Sequence, residues 1–446
     1  MMIRAALLAS VVVLAPLGAR AADFVVWWED EFVPGENDAV REMMAAFERK
    51  TGHTVELTFL SQDVLPSRLQ SAVDAGEPPD FAFGTTINNL VPRWAREGRL
   101  VELSAALGPL AESIDKDALA SATLPGGADG REGLYGMPLV RYTNHVHVWR
   151  SLLERAGFTL ADIRKEWEPF WSFWCDKVQP AVRKATGRDD VFGIGLPMSP
   201  DASDTSDGVA QFADALTRDW PEPWASSLAD DPTAQATLVE ALRQYTAVYE
   251  KGCTPPQSVT WTSRGNNDAF LAQSVVMTVN PTLSIPGALR RERPADYATD
   301  AATIEWPSDA YGRPLHLEVN LQGGPVFAAG HHVEVALEFV RFLVRDGWLG
   351  LWPSFAGDRY LPVLTTLTDQ PFWLDTGDPH RMSAVMQVAT HPNVYSFWGL
   401  PDALGRFDDD YASALKDAVH RIVVDGLTPE QAAAEVVARV KQYSRE

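Results

Sequence analysis

The feature that most constrains the fold is an alternation of short apolar strands and amphipathic helices over residues 24–100. Residues 25–28, VVWW, are typical of a buried strand. Apolar residues then recur at the helical spacing i, i+3, i+4, i+7, at Val40, Met43, Met44 and Phe47. Gly52 predicts the end of this helix, and the alternating residues 54–59 predict a second strand. A second helix follows, and residues 81–83 form a third apolar run. This order predicts an α/β fold with a parallel sheet flanked by helices.

The loops that follow these three strands are rich in polar and aromatic residues. They cover residues 28–31, 61–63 and 84–88. In open α/β sheets, ligands bind beyond the carboxyl ends of the strands. We therefore expect the three loops to converge at one binding edge.

The rest of the chain predicts a second α/β unit with chain crossings between the two. Residues 139–149 form a long strand-like run, and amphipathic patterns follow near 168–182, 235–250 and 333–347. A length of 446 residues, 46% of them apolar, suits a globular protein of two or three domains.

The first residues predict export. Arg4 precedes an uncharged run from Ala5 to Ala19, which is too short to span a bilayer. Ala19-Arg20-Ala21 has small residues at the positions that signal peptidase prefers. We expect residues 1–21 to be a cleavable signal peptide and the mature chain to lie in the periplasm without spanning the membrane.

Charge and cysteine content narrow the classes of partner. The chain has 38 Lys and Arg against 60 Asp and Glu, a formal net charge of −22. This balance disfavours nucleic acid and anionic membranes, which are bound through Lys and Arg. Only Cys175 and Cys253 are present. In an oxidising compartment they can form a disulfide, and two inert buried thiols are the alternative.

Catalytic and metal-binding motifs are weak or absent. The sequence has no phosphate-binding Gly-Lys pair, no His-Glu-x-x-His motif and no Gly-x-Ser-x-Gly elbow. Asp201, Asp204 and Asp207 have the wrong spacing for an EF-hand, which favours a solvated loop. His145 and His147 share one strand face, but the sequence places no third ligand beside them. We therefore predict no metal, no cofactor and no catalytic residue.

Tryptophan is the stronger signal. Several of the 15 tryptophans fall outside periodic helix or strand faces, namely Trp27, Trp28, Trp261, Trp306, Trp352 and Trp398. Sugar rings stack on indole through their C–H faces, whereas most tryptophans pack in cores. Because Trp27 lies inside the first strand, we expect it in the core. Trp28, at the strand end, and Trp398, between turn-like segments, are the candidates for stacking on a sugar.

In its order of motifs, the chain resembles the extracellular solute-binding proteins of ABC transporters, in the carbohydrate-binding group that includes maltose-binding protein. The resemblance covers nearly the whole mature chain. It is carried by VVWWEDEF, FERKTGHTVEL, EPPDFAFG, LYGMPLVRYTNHVHVWRSLLERAG, FLAQSVVMTVNP, LQGGPVFAAGHHVEVALEFVRFLV and RYLPV. It implies a monomer of two lobes that closes over a ligand and hands it to a membrane permease. We expect residues 22–140 and 305–350 in the first lobe, and 141–304 and 351–446 in the second.

The resemblance also implies where a ligand is contacted. In the first lobe the implied contacts are Trp28, Glu29, Gln62, Asp63, Gly84, Thr85 and Asn88. In the hinge and second lobe they are Arg141, Tyr142, Asp204, Asn280, Thr282 and Trp398. Gly323 and Gly324 would let the backbone approach the ligand closely. Arg141 and Arg359, both near the expected cleft, keep a sugar acid open as the ligand.

Two functions follow from these observations. A carbohydrate-binding component of an ABC importer accounts for the leader, the two α/β units, the loop aromatics and the missing catalytic motifs. The alternative is a secreted glycosidase, which would need two carboxyl groups about 5–10 Å apart across the cleft.

Overall fold

The computed structural model describes residues 22–350, except 32, 34, 85–89, 128 and 219–223, together with 359–364, 378, 380, 394–395 and 408–443. The expected signal peptide, residues 1–21, lies outside the described residues. In the part that is described, no helix is both long and apolar enough to cross a membrane.

Thirteen strands are found in the described part of the chain. They are β1 (Phe24–Glu29), β2 (Val55–Leu60), β3 (Phe81–Phe83), β4 (Thr123–Gly126), β5 (Arg131–Leu134), β6 (Met137–Thr143), β7 (His145–Trp149), β8 (Phe192–Gly195), β9 (Val275–Asn280), β10 (Ala301–Ile304), β11 (Leu317–Gly324), β12 (Leu361–Pro362) and β13 (Val394–Tyr395).

The described α-helices are α1 (Glu36–Thr51), α2 (Leu65–Ala75), α3 (Val91–Arg96), α4 (Ser104–Leu107), α5 (Lys116–Ala122), α6 (Arg150–Arg155), α7 (Trp167–Ser172), α8 (Gln179–Thr186), α9 (Ser203–Leu216), α10 (Pro232–Glu250), α11 (Gly265–Leu271), α12 (Ser284–Glu292), α13 (Pro294–Thr299), α14 (Val333–Arg345), α15 (Asp408–Val423) and α16 (Pro429–Tyr443). Short 3₁₀-helices occur at Gly108–Ser113, Leu160–Asp162, Trp224–Ser227 and Pro256–Thr260, and a π-helix at Phe173–Val178 joins α7 to α8.

The first predicted α/β unit is present. Strands β2, β1 and β3 form a parallel sheet in that order. The predicted apolar face of α1 is buried against it, and Gly52 ends the helix in a left-handed conformation, φ 79°. The helix begins at Glu36, with Gly35 rather than a side chain at its N-cap.

The second unit has a mixed sheet in the order β10-β7-β9-β8. A third sheet, β12-β6-β11-β13, lies where the chain passes between the two units, and we call it the crossing sheet. The long strand expected over residues 139–149 is two strands, β6 and β7, separated by Asn144. The carbonyl of Asn144 accepts a hydrogen bond from Trp306 Nε1 at 2.8 Å.

Two separate hydrophobic cores define the lobes. The first-lobe core runs from Phe24 to Val140 and resumes from Leu321 to Leu364. The second-lobe core runs from Val146 to Leu317 and resumes from Tyr411 to Val440. The two cores depart from the expected lobe boundaries in two places. Leu315 and Leu317, within residues 305–317, join the second core. Tyr360, Val363 and Leu364, within residues 360–364, join the first core.

The two cysteines lie in the second lobe. Cys175 is in the π-helix and Cys253 follows α10, and their sulfur atoms are bonded. The Cα atoms are 5.2 Å apart, within the span of a disulfide. The bond ties the π-helix to the segment beside β8, where the amide of Ile194 donates to the carbonyl of Cys253 at 3.0 Å.

Candidate functional site

The carboxyl ends of β1, β2 and β3 meet at one edge of the first-lobe sheet, as predicted. Glu29 is paired with Leu60 in the sheet register, so the loop that carries Gln62 and Asp63 begins beside it. Gly84 follows β3, and a Cβ atom there would lie 2.4 Å from Leu65 Cδ2 and 3.2 Å from Glu29 Oε2. Glycine therefore suits the point where the backbone passes Leu65 and this carboxylate. Asp63 is exposed and Gln62 is partly exposed. The expected contacts Thr85 and Asn88, as well as Trp398, lie outside the described residues.

Trp28 of β1 lies in the core instead of the cleft, and Trp27, expected in the core, is only partly buried against it. Trp28 is only 2% exposed and belongs to the first-lobe core. Its ring lies 4.6 Å from that of Phe83, its neighbour in β3. Trp27 is partly exposed, with the guanidinium of Arg68 5.3 Å from its ring centroid. The expectation that Trp28 opens into the cleft is therefore wrong, because the side chains of a central strand alternate and Trp28 has the inward position.

Glu29 belongs to a buried ion cluster. Arg359 Nη2 lies 3.4 Å from Glu29 Oε1, and Arg359 Nη1 lies 3.2 Å from Glu36 Oε2. All three side chains are buried. One guanidinium thus bridges the end of β1 and the first turn of α1. Glu36 was not predicted, because nothing in its local sequence distinguishes it from other acidic residues near a helix start.

The same segments touch the second lobe. The carbonyl of Arg359 accepts a hydrogen bond from the amide of Leu283 at 2.9 Å. Arg264 Nη2 donates to the carbonyl of Glu31 at 2.5 Å. The Glu29–Arg359–Glu36 cluster therefore lies at the contact between the two lobes.

A polar cluster of the second lobe lies at the carboxyl end of β9 and the start of α9. Asn266 Nδ2 donates to Asp204 Oδ2 at 2.7 Å and to Asn280 Oδ1 at 3.3 Å. Asn280 Nδ2 in turn donates to the carbonyl of Thr282 at 2.7 Å and to Ser284 Oγ at 3.0 Å. The structure thus brings together Asp204, Asn280 and Thr282, which were predicted for this lobe. Asn266, the partner that Asp204 and Asn280 share, was missed, although the Asn266-Asn267 pair was a visible signal at a helix start.

Burial controls the charge of this cluster. It raises the pKa of Asp204 to about 7, against the opposing effect of hydrogen bonds from Asn266 and Ser203 and of the Arg359 charge. The charge of Arg359 therefore acts on Asp204 as well as on Glu29 and Glu36. Asp204 and Asp207 lie in α9 rather than in the solvated loop expected from their spacing.

The crossing sheet carries polar side chains on one face. Asn320 of β11 is paired with Tyr142 of β6, and both are partly exposed. Two residues earlier, burial and the nearby carboxylate of Asp214 raise the pKa of Glu318 to about 8, while a hydrogen bond from Asn320 opposes the rise. Burial, Asp204 and Glu318 likewise raise the pKa of Asp207. Acidic side chains therefore extend from the second-lobe cluster to the crossing sheet.

Three of the predicted ligand contacts are engaged with protein groups instead. Arg141 Nη1 lies 3.2 Å from Asp115 Oδ1, and its Nη2 donates to the carbonyl of Pro362 at 3.1 Å. Its side chain is on the sheet face opposite to that of Tyr142, because strand residues alternate. A Cβ at Gly323 would lie 3.0 Å from the carbonyl oxygen of Met137. A Cβ at Gly324 would lie 2.0 Å from Phe81 Cζ. These glycines admit protein atoms, not a ligand.

The histidines of β7 are buried in the second lobe. His147 Nδ1 is 3.0 Å from Thr303 Oγ1, which is also 2.6 Å from His380 Nδ1. Burial, with His145 and His380, lowers the pKa of His147 well below its usual value, so its ring is neutral. Within the described ranges no group of three or more His, Cys, Asp or Glu side chains is arranged to hold a metal ion.

Comparison with known proteins identifies the family. The model of the bacterial extracellular solute-binding protein family matches residues 42–378. Because this match covers most of the chain, the protein belongs to that family. A comparison with curated proteins gives no significant match.

Solved structures with the same fold include several solute-binding proteins. One from Thermotoga lettingae, bound to α-D-tagatose, has a TM-score of 0.76 at 17% identity, covering 94% of this chain and 99% of that chain. A sugar transporter protein from Arthrobacter chlorophenolicus with bound laminaribiose has a TM-score of 0.74 at 13% identity, covering 94% and 98%. Maltose-bound MalE3 of T. maritima has a TM-score of 0.72 at 15% identity, covering 94% and 99%. The two-lobed α/β fold predicted from the sequence is thereby confirmed.

Proposed function

We propose that the protein is the substrate-binding component of an ABC importer, which binds a neutral carbohydrate between its lobes and delivers it to a membrane permease. The observation that carries this proposal is the meeting of two buried polar clusters, one from each lobe, at Arg359. Carboxylate, amide and hydroxyl groups of this kind hydrogen-bond to sugar hydroxyls. Family membership and the sugars bound by the three similar proteins support the same function.

The pairing of the two arginines argues for a neutral sugar rather than a sugar acid. Arg141 is paired with Asp115, and Arg359 with Glu29 and Glu36. A ligand carboxylate would have to compete with these protein carboxylates, close to further acidic groups. Ligand hydroxyls, in contrast, can hydrogen-bond to such groups without adding charge.

The test is a binding panel. Isothermal titration with α-D-tagatose, laminaribiose and maltose is compared with titration by galacturonate, and each bound state is examined by small-angle scattering. We expect at least one neutral sugar to bind. The radius of gyration of the sugar-bound protein should be that of the closed form, either smaller than without sugar or equal to it, because a ligand that contacts both lobes favours the closed state. Binding of galacturonate alone would refute a neutral ligand, and binding of none of the four would count against the proposal.

Export and monomeric state are part of the proposal. N-terminal sequencing of the secreted protein should find a start at residue 22, and light scattering should give the mass of one chain. A retained leader or a stable dimer would contradict these points.

A secreted glycosidase is the second candidate, because the raised pKa of Asp204, about 7, is also the property of a general acid. Incubation with maltose and laminaribiose separates the two functions. We expect no increase in reducing ends over the time in which binding is complete, whereas steady release would establish turnover.

A further inference from the structure

We propose that Gln322 forms the floor of the binding site and that its side-chain amide hydrogen-bonds to hydroxyl groups of the bound sugar. This inference rests on the proposed function and adds a residue to it. Gln322 lies on β11, directly before the two glycines that the sequence had suggested for ligand contact.

The first observation is an unmet hydrogen-bonding capacity. Gln322 is fully buried, with 0% of its surface exposed. Neither its Oε1 nor its Nε2 has a hydrogen-bond partner among the residues that the structure describes. Buried side-chain amides are nearly always hydrogen-bonded, because desolvating one without compensation is costly. A partner other than the described residues is therefore needed.

The second observation is the direction of the side chain. Gln322 is paired with Val140, and Asn320 with Tyr142, across β6 and β11. Directly paired residues and residues two apart share a sheet face, so Gln322 shares its face with the partly exposed Asn320 and Tyr142 and with the buried Val140. Tyr360, which belongs to the first-lobe core, continues the same face at the other edge, since Leu361 is paired with Arg141 and Pro362 with Val140.

This sheet face adjoins the Glu29–Arg359–Glu36 cluster at the contact between the lobes. The guanidinium of Arg359 lies 4.7 Å from the ring centroid of Tyr360. At the opposite end of the row, Glu318 influences Asp207 of the second lobe. Gln322 is thus on the face that connects the charged groups of the first lobe to those of the second.

A break in the strand pairing accompanies the side chain. Gln322 is paired with Val140, but Gly323 is paired with Pro138, so the register shifts between Gln322 and Gly323 and Leu139 is passed over. Such bulges often lie beside binding sites, where they redirect a side chain. The packing of Gly324 against Phe81 fixes the backbone directly after the bulge.

The chemistry of the amide suits a sugar. It offers two donors and one acceptor oxygen, so it can bind two neighbouring hydroxyl groups, one as donor and one as acceptor. Because the group is neutral, it adds no charge to a region already rich in carboxyl groups. An ordered water molecule is the competing partner, and the experiment distinguishes the two.

The test compares Gln322→Met with Gln179→Met. Methionine keeps a similar length and removes the amide in both variants. Gln179 is the matched control: it is buried in the second lobe, its Nε2 donates to the carbonyl of Gly252 at 2.9 Å, and its Oε1 accepts from the amide of Gly193 at 2.8 Å. Each variant is melted without ligand and titrated with α-D-tagatose, laminaribiose and maltose.

We expect Gln322→Met to melt at or above the wild-type temperature, because no hydrogen bond to a described residue is lost. Its affinity for the sugar that the wild type binds should fall by about tenfold to a hundredfold. Gln179→Met should melt lower and bind as the wild type does.

Three results would overturn the inference. A lower melting temperature for Gln322→Met with unchanged affinity would assign the amide to a structural water. An affinity and a melting temperature both equal to those of the wild type would show that the amide contacts neither a sugar nor a structural water. If the wild type binds none of the three sugars, the proposed function fails and the inference fails with it. This result is distinguishable from a failure of the inference alone, in which the wild type binds a sugar and Gln322→Met binds it equally well.

Discussion

Replacing Arg359 by methionine tests whether the buried ion cluster stabilises the first lobe. Methionine keeps an unbranched apolar side chain and leaves the backbone bond to Leu283 unchanged. The substitution removes the cation that contacts Glu29 at 3.4 Å and Glu36 at 3.2 Å. Two buried carboxylates then remain side by side without the positive charge they share.

The expected cost is large because the cluster is buried. Removing one partner of a buried ion pair typically lowers the free energy of unfolding by about 3–5 kcal/mol. The matched control is Arg49→Met, which removes a cation 2.7 Å from Glu42 at a mostly exposed site. Exposed pairs contribute about 0.2–1 kcal/mol, so the control should be nearly neutral.

Urea unfolding at neutral pH, followed by tryptophan fluorescence, gives the free energy of each variant. Adding Glu29→Gln to Arg359→Met should recover part of the loss, because one of the two uncompensated charges is then absent and the effects of contacting residues are not additive. A cost for Arg359→Met as small as that of Arg49→Met would refute the reasoning, and so would a double variant less stable than either single one.

Three further predictions concern the disulfide, the first strand and the acidic face. Reductant should lower the melting temperature, because a cross-link between Cys175 and Cys253, 78 positions apart, stabilises by roughly 4 kcal/mol; two reactive thiols in denatured, unreduced protein would exclude the bond. Trp28→Ala should cost about 3–5 kcal/mol of unfolding free energy and Trp27→Ala much less, and urea titrations giving the reverse order would contradict the burial. Because the pKa of Glu318 is raised from 4.5 to about 8 in the folded protein, the unfolded chain releases this proton first, so stability falls as pH rises from 4.5 to 8. Melting at pH 5.5 and 8.5 should show this loss in the wild type and a smaller one in Glu318→Gln, and parallel curves would refute it.

Elements with strong local signals were predictable from the sequence. The helix α1 follows from the spacing of its apolar residues and from Gly52, both of which act within a few turns. The convergence of the β1, β2 and β3 ends follows from the parallel order of the strands. Asp204 and Asn280 were also expected in the second lobe, and the structure brings them together at a strand end and a helix start.

The orientation of the β1 tryptophans was not predictable. A central strand of a parallel sheet is covered on both faces, so its sequence is apolar throughout and has no alternation to show which face is inward. Trp27 and Trp28 are both compatible with either position when read alone. The neighbouring Phe83 decides between them, and its register with Trp28 is known only once the sheet has formed.

The charge pairing in the site was hidden for a different reason. Arg359 meets Glu29 across 330 positions of sequence and Glu36 across 323, distances over which no local pattern operates. Read alone, a conspicuous arginine near a cleft suggests an anionic ligand. Placed between two buried carboxylates, the same arginine has its charge compensated, since a buried cation is tolerated only with such partners. The proposed preference for a neutral ligand thus rests on the contacts of Arg359, and it reverses what the residue type alone had suggested.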